Sequence, residues 1–319
     1  MKDFSGKLAV ITGGGTGMGR ELARQLVAAG CNVAMCDVSV EAMVETKRLC
    51  EGDRVPQGLR ITTHRADVSD EGQVLHFRDE VADQHRADHI HLLFNNAGIG
   101  GGNSLFTDRD KWERTFNICW GGVYLCTRAF LPMLQKASEG HIVNTSSVNG
   151  FWASVGPTLS HTAYSAAKFA VKGFTEALIT DLRLNAPHIK CSVVMPGHIG
   201  TSIFANSRKI LSGTENLTPA EIERTRARLA TSGVEVSQLS DEELQRKWAE
   251  RARRFQEDAP TTAAEAARII LDGVKAERWR ILVGDDAHRL DERVRHDPEH
   301  AYDAVFFESV AREIGWRVS

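Results

Sequence analysis

Short apolar runs alternate with longer stretches of helical period along most of the chain. "KLAVIT" (7–12), "NVAMCD" (32–37), "LRITTHRA" (59–66), "IHLLFN" (90–95), "GHIVNTS" (140–146), "IKCSVVM" (189–195) and "WRILVG" (279–284) predict strands. Several are apolar almost throughout, as strands covered on both faces must be. Between them, apolar residues recur at three- and four-residue intervals near 18–29, 40–50, 70–85, 109–136, 163–185 and 263–276, which predicts amphipathic helices. Such alternation specifies an α/β fold, a doubly wound parallel sheet with helices on both faces.

One stretch breaks the rhythm. Residues 202–258 carry no strand pattern. In "TPAE", Thr218 is the expected N-cap, with Pro219 first in the helix and Glu221 closing a capping box. Ser240 and Glu243 repeat that logic for a second helix, whose Leu244, Trp248 and Phe255 fall on one face. The segment reads as a helical insertion on the substrate side of one domain spanning 1–319. A tail over 285–319 follows the last strand, and its Phe306, Phe307, Ile314 and Trp316 predict that it packs against the body.

Composition narrows the function. With 42% hydrophobic and 25% charged residues, the chain is ordinary for a soluble globular protein. A net charge of −3 argues against non-specific nucleic-acid binding, and the arginines of 224–254 alternate with acids as on a solvated helix face. No run approaches the ~20 apolar residues of a membrane span, and the N-terminal run is too short for a signal peptide. The six cysteines, at 31, 36, 50, 119, 126 and 191, form no CxxC pair, which fits a reducing, cytoplasmic compartment. His85, His89, His91, His296 and His300 carry no metal-ligand pattern, so no metal is expected.

"VITGGGTGMGREL" follows the first strand and opens the first helix. Gly13, Gly17 and Gly19 give a tight turn, close approach to a pyrophosphate and close helix–strand packing. The helix N-terminus then turns free N–H groups and a positive dipole end toward the phosphates. Asp37 ends the second strand, eighteen residues after Gly19. A carboxylate there accepts both ribose hydroxyls of an adenosine and repels a 2′-phosphate, so NAD is expected over NADP. Asp67, ending the third strand, is placed either for the adenine edge or for a helix start.

With "ADV" (66–68), "NNAG" (95–98), Asn117 in a helix, "SS" (146–147), "YSAAK" (164–168) and "PG" (196–197) in order, the chain resembles the short-chain dehydrogenase/reductase family over roughly 5–285. The resemblance implies a Rossmann-like domain with a seven-stranded parallel sheet. It makes Tyr164 the acid/base, Lys168 the residue that lowers its pKa and holds the nicotinamide ribose, Ser147 the grip on the substrate oxygen, and Asn117 the anchor of a proton-relay water. Ser146 is the alternative to Ser147. An unperturbed tyrosine, with a pKa of about 10, is a poor base at neutral pH, so a nearby ammonium is a physical requirement. Further cofactor contacts implied are Thr16, Met18, Val38, Val68, Asn96, Ala97, Gly98, Pro196, Gly197, Ile199 and Thr201. The matching helices at 109–136 and 163–185 imply a homodimer or homotetramer.

The chain departs from the usual pattern where substrate binds. Seventeen residues separate Ser147 from Tyr164, so the loop "VNGFWASVGPTLSHTA" is enlarged. It brings Asn149, Trp152 and His161 toward Tyr164, and the insertion adds Phe204. An apolar, aromatic lining suits a bulky hydrophobic or aromatic alcohol or ketone; the alternative for these side chains is packing the lid onto the body. Alternative functions are a non-catalytic NAD-binding regulator and an epimerase or dehydratase on the same fold.

Overall fold

The computed structural model describes residues 1–52, 58–106, 108–156, 159–231 and 239–316, with backbone alone for 228–231. Pro157 and Thr158 of the enlarged loop lie outside the described residues. The seven expected strands form β1 (Leu8–Thr12), β2 (Asn32–Asp37), β3 (Ile61–Arg65), β4 (Leu92–Asn95), β5 (Gly140–Thr145), β6 (Ile189–Pro196) and, after the insertion, a last strand, Arg280–Val283. All pair in parallel, in the order β3-β2-β1-β4-β5-β6 and then the last strand. The chain winds outward from β1 to β3, then restarts at β4 on the other side of β1. That reversal opens a crevice beyond the C-terminal ends of β1 and β4, where α/β folds bind ligands.

Helices α1 (Gly17–Ala28), α2 (Val40–Cys50) and α3 (Glu71–His85) follow the first three strands. On one face, Leu22, Leu26 and Val27 of α1 pack with Ile270, Leu271 and Val274 of a later helix, Ala263–Lys275. On the other, Phe77, Phe130, Met133 and Leu182 form the second core. A fully buried side chain of this size contributes ~1.5–3 kcal/mol, so the apolar pattern suffices to fix which way each helix faces. Ser39 and Asp70 cap α2 and α3 through their side chains.

The expected helix over 109–136 is three pieces: α4 (Arg109–Phe116), a π-helical turn (Asn117–Gly121) and α5 (Gly122–Gln135). A π-turn inserts a residue into the helical phase, a device frequent at functional sites. The long α6 (Thr162–Asn185) carries Tyr164 and Lys168.

The insertion contains α7 (Ile203–Ser212), α8 (Pro219–Thr231) and α9 (Asp241–Glu257). The capping box at Ser240 forms in full. At Thr218 only half forms: the Glu221 carboxylate accepts the Thr218 N–H (2.9 Å) and O–H (2.7 Å), while the Glu221 N–H goes to the Thr218 carbonyl. Glu221 also pairs with Arg208 of α7. A feature the local pattern did not predict closes the excursion: β7 (Ile199–Gly200) pairs in parallel with β8 (Thr261–Thr262). This two-residue ladder ties the insertion's ends together. Beyond β9, the last strand of the sheet, the tail forms α11 (Asp285–His296) and α12 (Ala304–Glu313), with α10 being Ala263–Lys275. Its Phe306, Phe307, Val310 and Ile314 enclose Val148 and Trp152 in a separate apolar cluster.

Candidate active site

The glycine loop is built by close approach. Gly13 and Gly17 take left-handed φ values of +67° and +55°, where a side chain is strained. A Cβ on Gly13 would stand 2.8 Å from Ala97 Cα, and one on Gly19 would stand 2.0 Å from the Gly13 carbonyl oxygen. No side chain caps α1, because the Thr16 hydroxyl accepts from Asn206 Nδ2 (3.0 Å) of α7. The first N–H groups of α1 thus face the crevice without a capping acceptor, at the positive end of the helix dipole. Met18 packs on the adjoining core. The Asp37 carboxylate stands beside this loop, accepting the Gly15 N–H (3.0 Å) and the Ser39 N–H (3.1 Å), with Val38 40% exposed next to it. Open N–H groups, a glycine cradle and a positioned carboxylate fit a dinucleotide.

Two expectations at the crevice change in role. Asp67 is not a helix start, since Asp70 caps α3. Its carboxylate accepts the Ser69 N–H (3.0 Å) and O–H (2.7 Å) and pairs with Arg114 of α4, which outweighs burial and holds it below the usual carboxylate range. Val68 is buried beneath Gly122, where a Cβ would meet its methyl at 2.6 Å. Asn96 turns inward: its Nδ2 donates to the carbonyls of Thr12 (3.1 Å) and Gly13 (3.2 Å), tying β4 to the glycine turn. The Asn96 and Ala97 N–H groups share the Thr12 hydroxyl, each at 3.0 Å. Gly98 lies beside Lys168, with room for a Cβ only 3.4 Å from Nζ.

Ser147, Tyr164 and Lys168 come together as expected. The Ser147 hydroxyl accepts the Asn149 N–H (3.1 Å) and lies near enough to Tyr164 to pull its pKa down. The Ser146 hydroxyl donates to the Lys168 carbonyl (2.7 Å). Lys168 is buried, donates Nζ–H to the Thr145 carbonyl (2.8 Å) and stands 5.4 Å from the centre of the Tyr164 ring. The lowered Tyr164 pKa does not emerge in the chain alone. Burial pushes Tyr164 well up, with Cys119 adding to it and Ser147 opposing it. Burial likewise pulls Lys168 down. Desolvation penalises both charged forms here, so the expected pull of the ammonium is overridden.

The structure does not bring Asn117 to this cluster. It opens the π-turn with its side chain exposed, while Thr115, Ile118 and Cys119 face inward. Two helical positions rotate a side chain about 200°, so Asn117 and Cys119 point to opposite sides. Sequence reasoning missed Cys119, whose charge state couples to both Tyr164 and Lys168 and whose thiol donates to the Ile99 carbonyl (3.2 Å). The signal was the helical phase of Cys119, Gly122, Val123 and Cys126, all buried.

On the substrate side, His161 stacks on the Tyr164 ring at 4.7 Å and 19°, and burial lowers its pKa to about 4. Asn149 and Trp152 are not positioned as free lining. Asn149 Nδ2 donates to the carbonyls of Trp152 (3.0 Å) and Ser154 (2.9 Å), bracing its own loop. Trp152 is 1% exposed in the tail's core. Phe204 packs on Phe255 (4.5 Å) and Trp248 (6.2 Å), joining α7 to α9. Of the "PGHIGT" segment, Pro196 ends β6, Ile199 is buried in β7, and Thr201 sets its methyl against Gly17, 3.1 Å from where a Cβ would be. Gly197 is required for space: a Cβ would lie 2.3 Å from the Asp286 carboxylate.

The family model described as "short chain dehydrogenase" matches residues 7–211, about two thirds of the chain. The chain belongs to the short-chain dehydrogenase/reductase family. SadH of Mycobacterium tuberculosis, an oxidoreductase by its given name, is 34% identical over 292 residues, covering 91% of each chain. Meso-2,3-butanediol dehydrogenase of Serratia marcescens is 37% identical over 179 residues, 56% of this chain and 66% of that one. A short-chain dehydrogenase/reductase of Burkholderia phymatum solved with NAD superposes with a TM-score of 0.73 at 30% identity, covering 93% and 95% of the two chains. As a member of this family the protein is an oxidoreductase of the dehydrogenase/reductase type using a nicotinamide cofactor. The family match stops at residue 211, the last residue but one of α7, so α8, α9 and the tail lie beyond it.

Proposed function

We propose that the protein is an NAD-dependent oxidoreductase interconverting a secondary alcohol and a ketone, with Tyr164 as acid/base. The nearness of the Ser147 side chain to Tyr164, where it works against burial to pull the phenol's pKa down, carries this reading, because the two hydroxyls can grip one alcohol or carbonyl oxygen. When bound, the nicotinamide accepts or gives the hydride and adds positive charge during oxidation. The glycine loop, Asp37 and the Gly98–Lys168 corner would hold it. Tyr164 then takes the hydroxyl proton of an alcohol, or gives one to a ketone, while Ser147 steadies the oxygen. Lys168, fixed by Thr145, is one helical turn away and favours the phenolate once added positive charge offsets burial.

Asp37 supports NAD over NADP, since a 2′-phosphate would add negative charge beside a carboxylate. The butanediol relative, named for a secondary diol, supports the alcohol class. With Trp152 and Phe204 engaged in packing, the hydrophobic character of the substrate rests on the stacked His161–Tyr164 pair, which suits an apolar body. Trp120, Tyr124 and Phe174 form an aromatic patch across the π-turn, α5 and α6, with Tyr124 and, on α6, Phe169 each 42% exposed. That patch supports a homodimer or homotetramer, to be checked by analytical ultracentrifugation. The reaction is tested by following reduced nicotinamide with a panel of secondary alcohols. Tyr164→Phe should lower kcat by about 10²–10⁴-fold, the range for a positioned acid/base; unchanged turnover would reject the role.

A further inference from the structure

The described part of the loop after Ser147, residues 148–156, lies on the proposed substrate side of Tyr164. Its regular structure among the described residues is a single turn, Val148–Gly150. Its position is set by the tail. Trp152 lies nearly parallel to Phe307 (5.8 Å, 22°), edge-on to Phe306 (6.0 Å), and donates Nε1–H to the Ala301 carbonyl (2.6 Å). The Ala153 N–H donates to the Tyr302 hydroxyl (3.2 Å). Gly156, at φ +121°, turns against the Phe307 ring, where a Cβ would stand 3.2 Å from Cζ.

The same tail grips the segment after β6. Asp286, at the start of α11, is 3% exposed. Its carboxylate accepts the His198 N–H (2.7 Å), its neighbour Ala287's N–H (2.9 Å) and the Trp316 Nε1–H (2.9 Å) from beyond α12. Both Gly197 and Gly284 lack the Cβ that would collide with it. His198 then reaches α9, donating Nε2–H to the Phe255 carbonyl (2.7 Å). Hydrogen bonds to an ionised carboxylate are the stronger kind, and a buried one left short of donors is costly, so this junction resists displacement.

We propose that α11 and α12 form a clamp that fixes the distance between the loop after Ser147 and the segment after β6, making Trp152 and Asp286 positioning residues for the substrate. Trp152 sets the loop wall through Phe307 and Ala301. Asp286 sets the turn that leads to Thr201 and α7. The clamp rests on the reading of Tyr164 and Ser147 as the reacting end of the cleft, since only then do these walls bound a substrate.

The test uses the full chain. Phe307→Ala should speed backbone amide exchange over 148–156 by at least about tenfold while leaving β1, β4 and β5 unchanged, as a local opening does. With an alcohol that turns over, the same variant should raise KM severalfold, with kcat and the affinity for NAD held within about twofold. Unchanged exchange in 148–156, or equal acceleration throughout the sheet, would overturn the clamp. If Phe307→Ala does not fold, Tyr302→Phe serves, because Tyr302 is 61% exposed. It should speed exchange at Ala153 about threefold, and no change there counts against the proposal. Exchange requires no turnover, so a failure of the alcohol reading leaves the clamp separately testable.

Discussion

The crevice above β1 and β4 and the proposed substrate cleft beside the loop after Ser147 are built by different means. The crevice is local in sequence: strand, glycine turn and helix follow one another within residues 8–28. The cleft is assembled from segments far apart, with Trp152 held by Ala301 and His198 by Asp286. Motifs can specify the first because the turn's left-handed glycines and the Gly19–Gly13 contact act within that short stretch. The second depends on tertiary contacts, so its residues change meaning once the fold is known.

The largest expected effect that separates the regions is on the crevice side. Gly19→Ala places a Cβ 2.0 Å from the Gly13 carbonyl, a contact backbone cannot relieve without opening the turn. NAD affinity, read by quenching of the chain's tryptophan fluorescence, should fall at least about a hundredfold, or ~2.7 kcal/mol. A change below threefold would show that the turn does not need this packing.

That contrast explains what could be read in advance. All seven strands of the main sheet were legible to within two residues, because strands buried on both faces carry a continuous apolar signal. Gly13, Asp37, Ser147, Tyr164 and Lys168 stand where the motifs put them. The β7–β8 ladder was not legible, since two residues pairing across the insertion leave no periodic trace. Trp152 and Asn149 were read as lining because proximity to Tyr164 in sequence is not exposure in space. The tail's aromatic residues showed that it packs, but only the fold shows that it packs on the loop after Ser147.

A smaller effect distinguishes the body from the cleft by pH. Burial lowers His85, His91 and His141, around the sheet, and His161, in the cleft, each to about 4. Unfolding releases them to about 6.5. Their folded values are depressed, so the unfolded chain binds more protons between these limits, and stability rises with pH across that window. Tm should therefore hold above about pH 7 and fall progressively between 6.5 and 4. Burial lowers His64 as well, so His161→Phe, which keeps a ring on Tyr164 and removes one of these five titrating groups, should flatten the Tm slope by roughly a fifth. An unchanged slope would mean that His161 already exchanges protons with solvent in the folded chain.

The smallest effect is the most discriminating, because it sets helical phase against motif. Asn117 is exposed at the head of the π-turn, and Cys119 is buried against the Tyr164–Lys168 pair. Exposed substitutions away from caps and networks change free energies by no more than about 0.5 kcal/mol, or about twofold in a rate. Asn117→Ala should therefore leave kcat, KM and Tm within about twofold or one degree of the parent. Above the raised pKa of its thiol, Cys119 carries a charge that opposes the Tyr164 phenolate, so Cys119→Ala should move the basic limb of the kcat profile to lower pH. If instead Asn117→Ala cuts kcat tenfold and Cys119→Ala leaves the profile in place, the turn must rotate when cofactor and substrate bind. The motif would then describe the working enzyme, and the π-turn its resting phase.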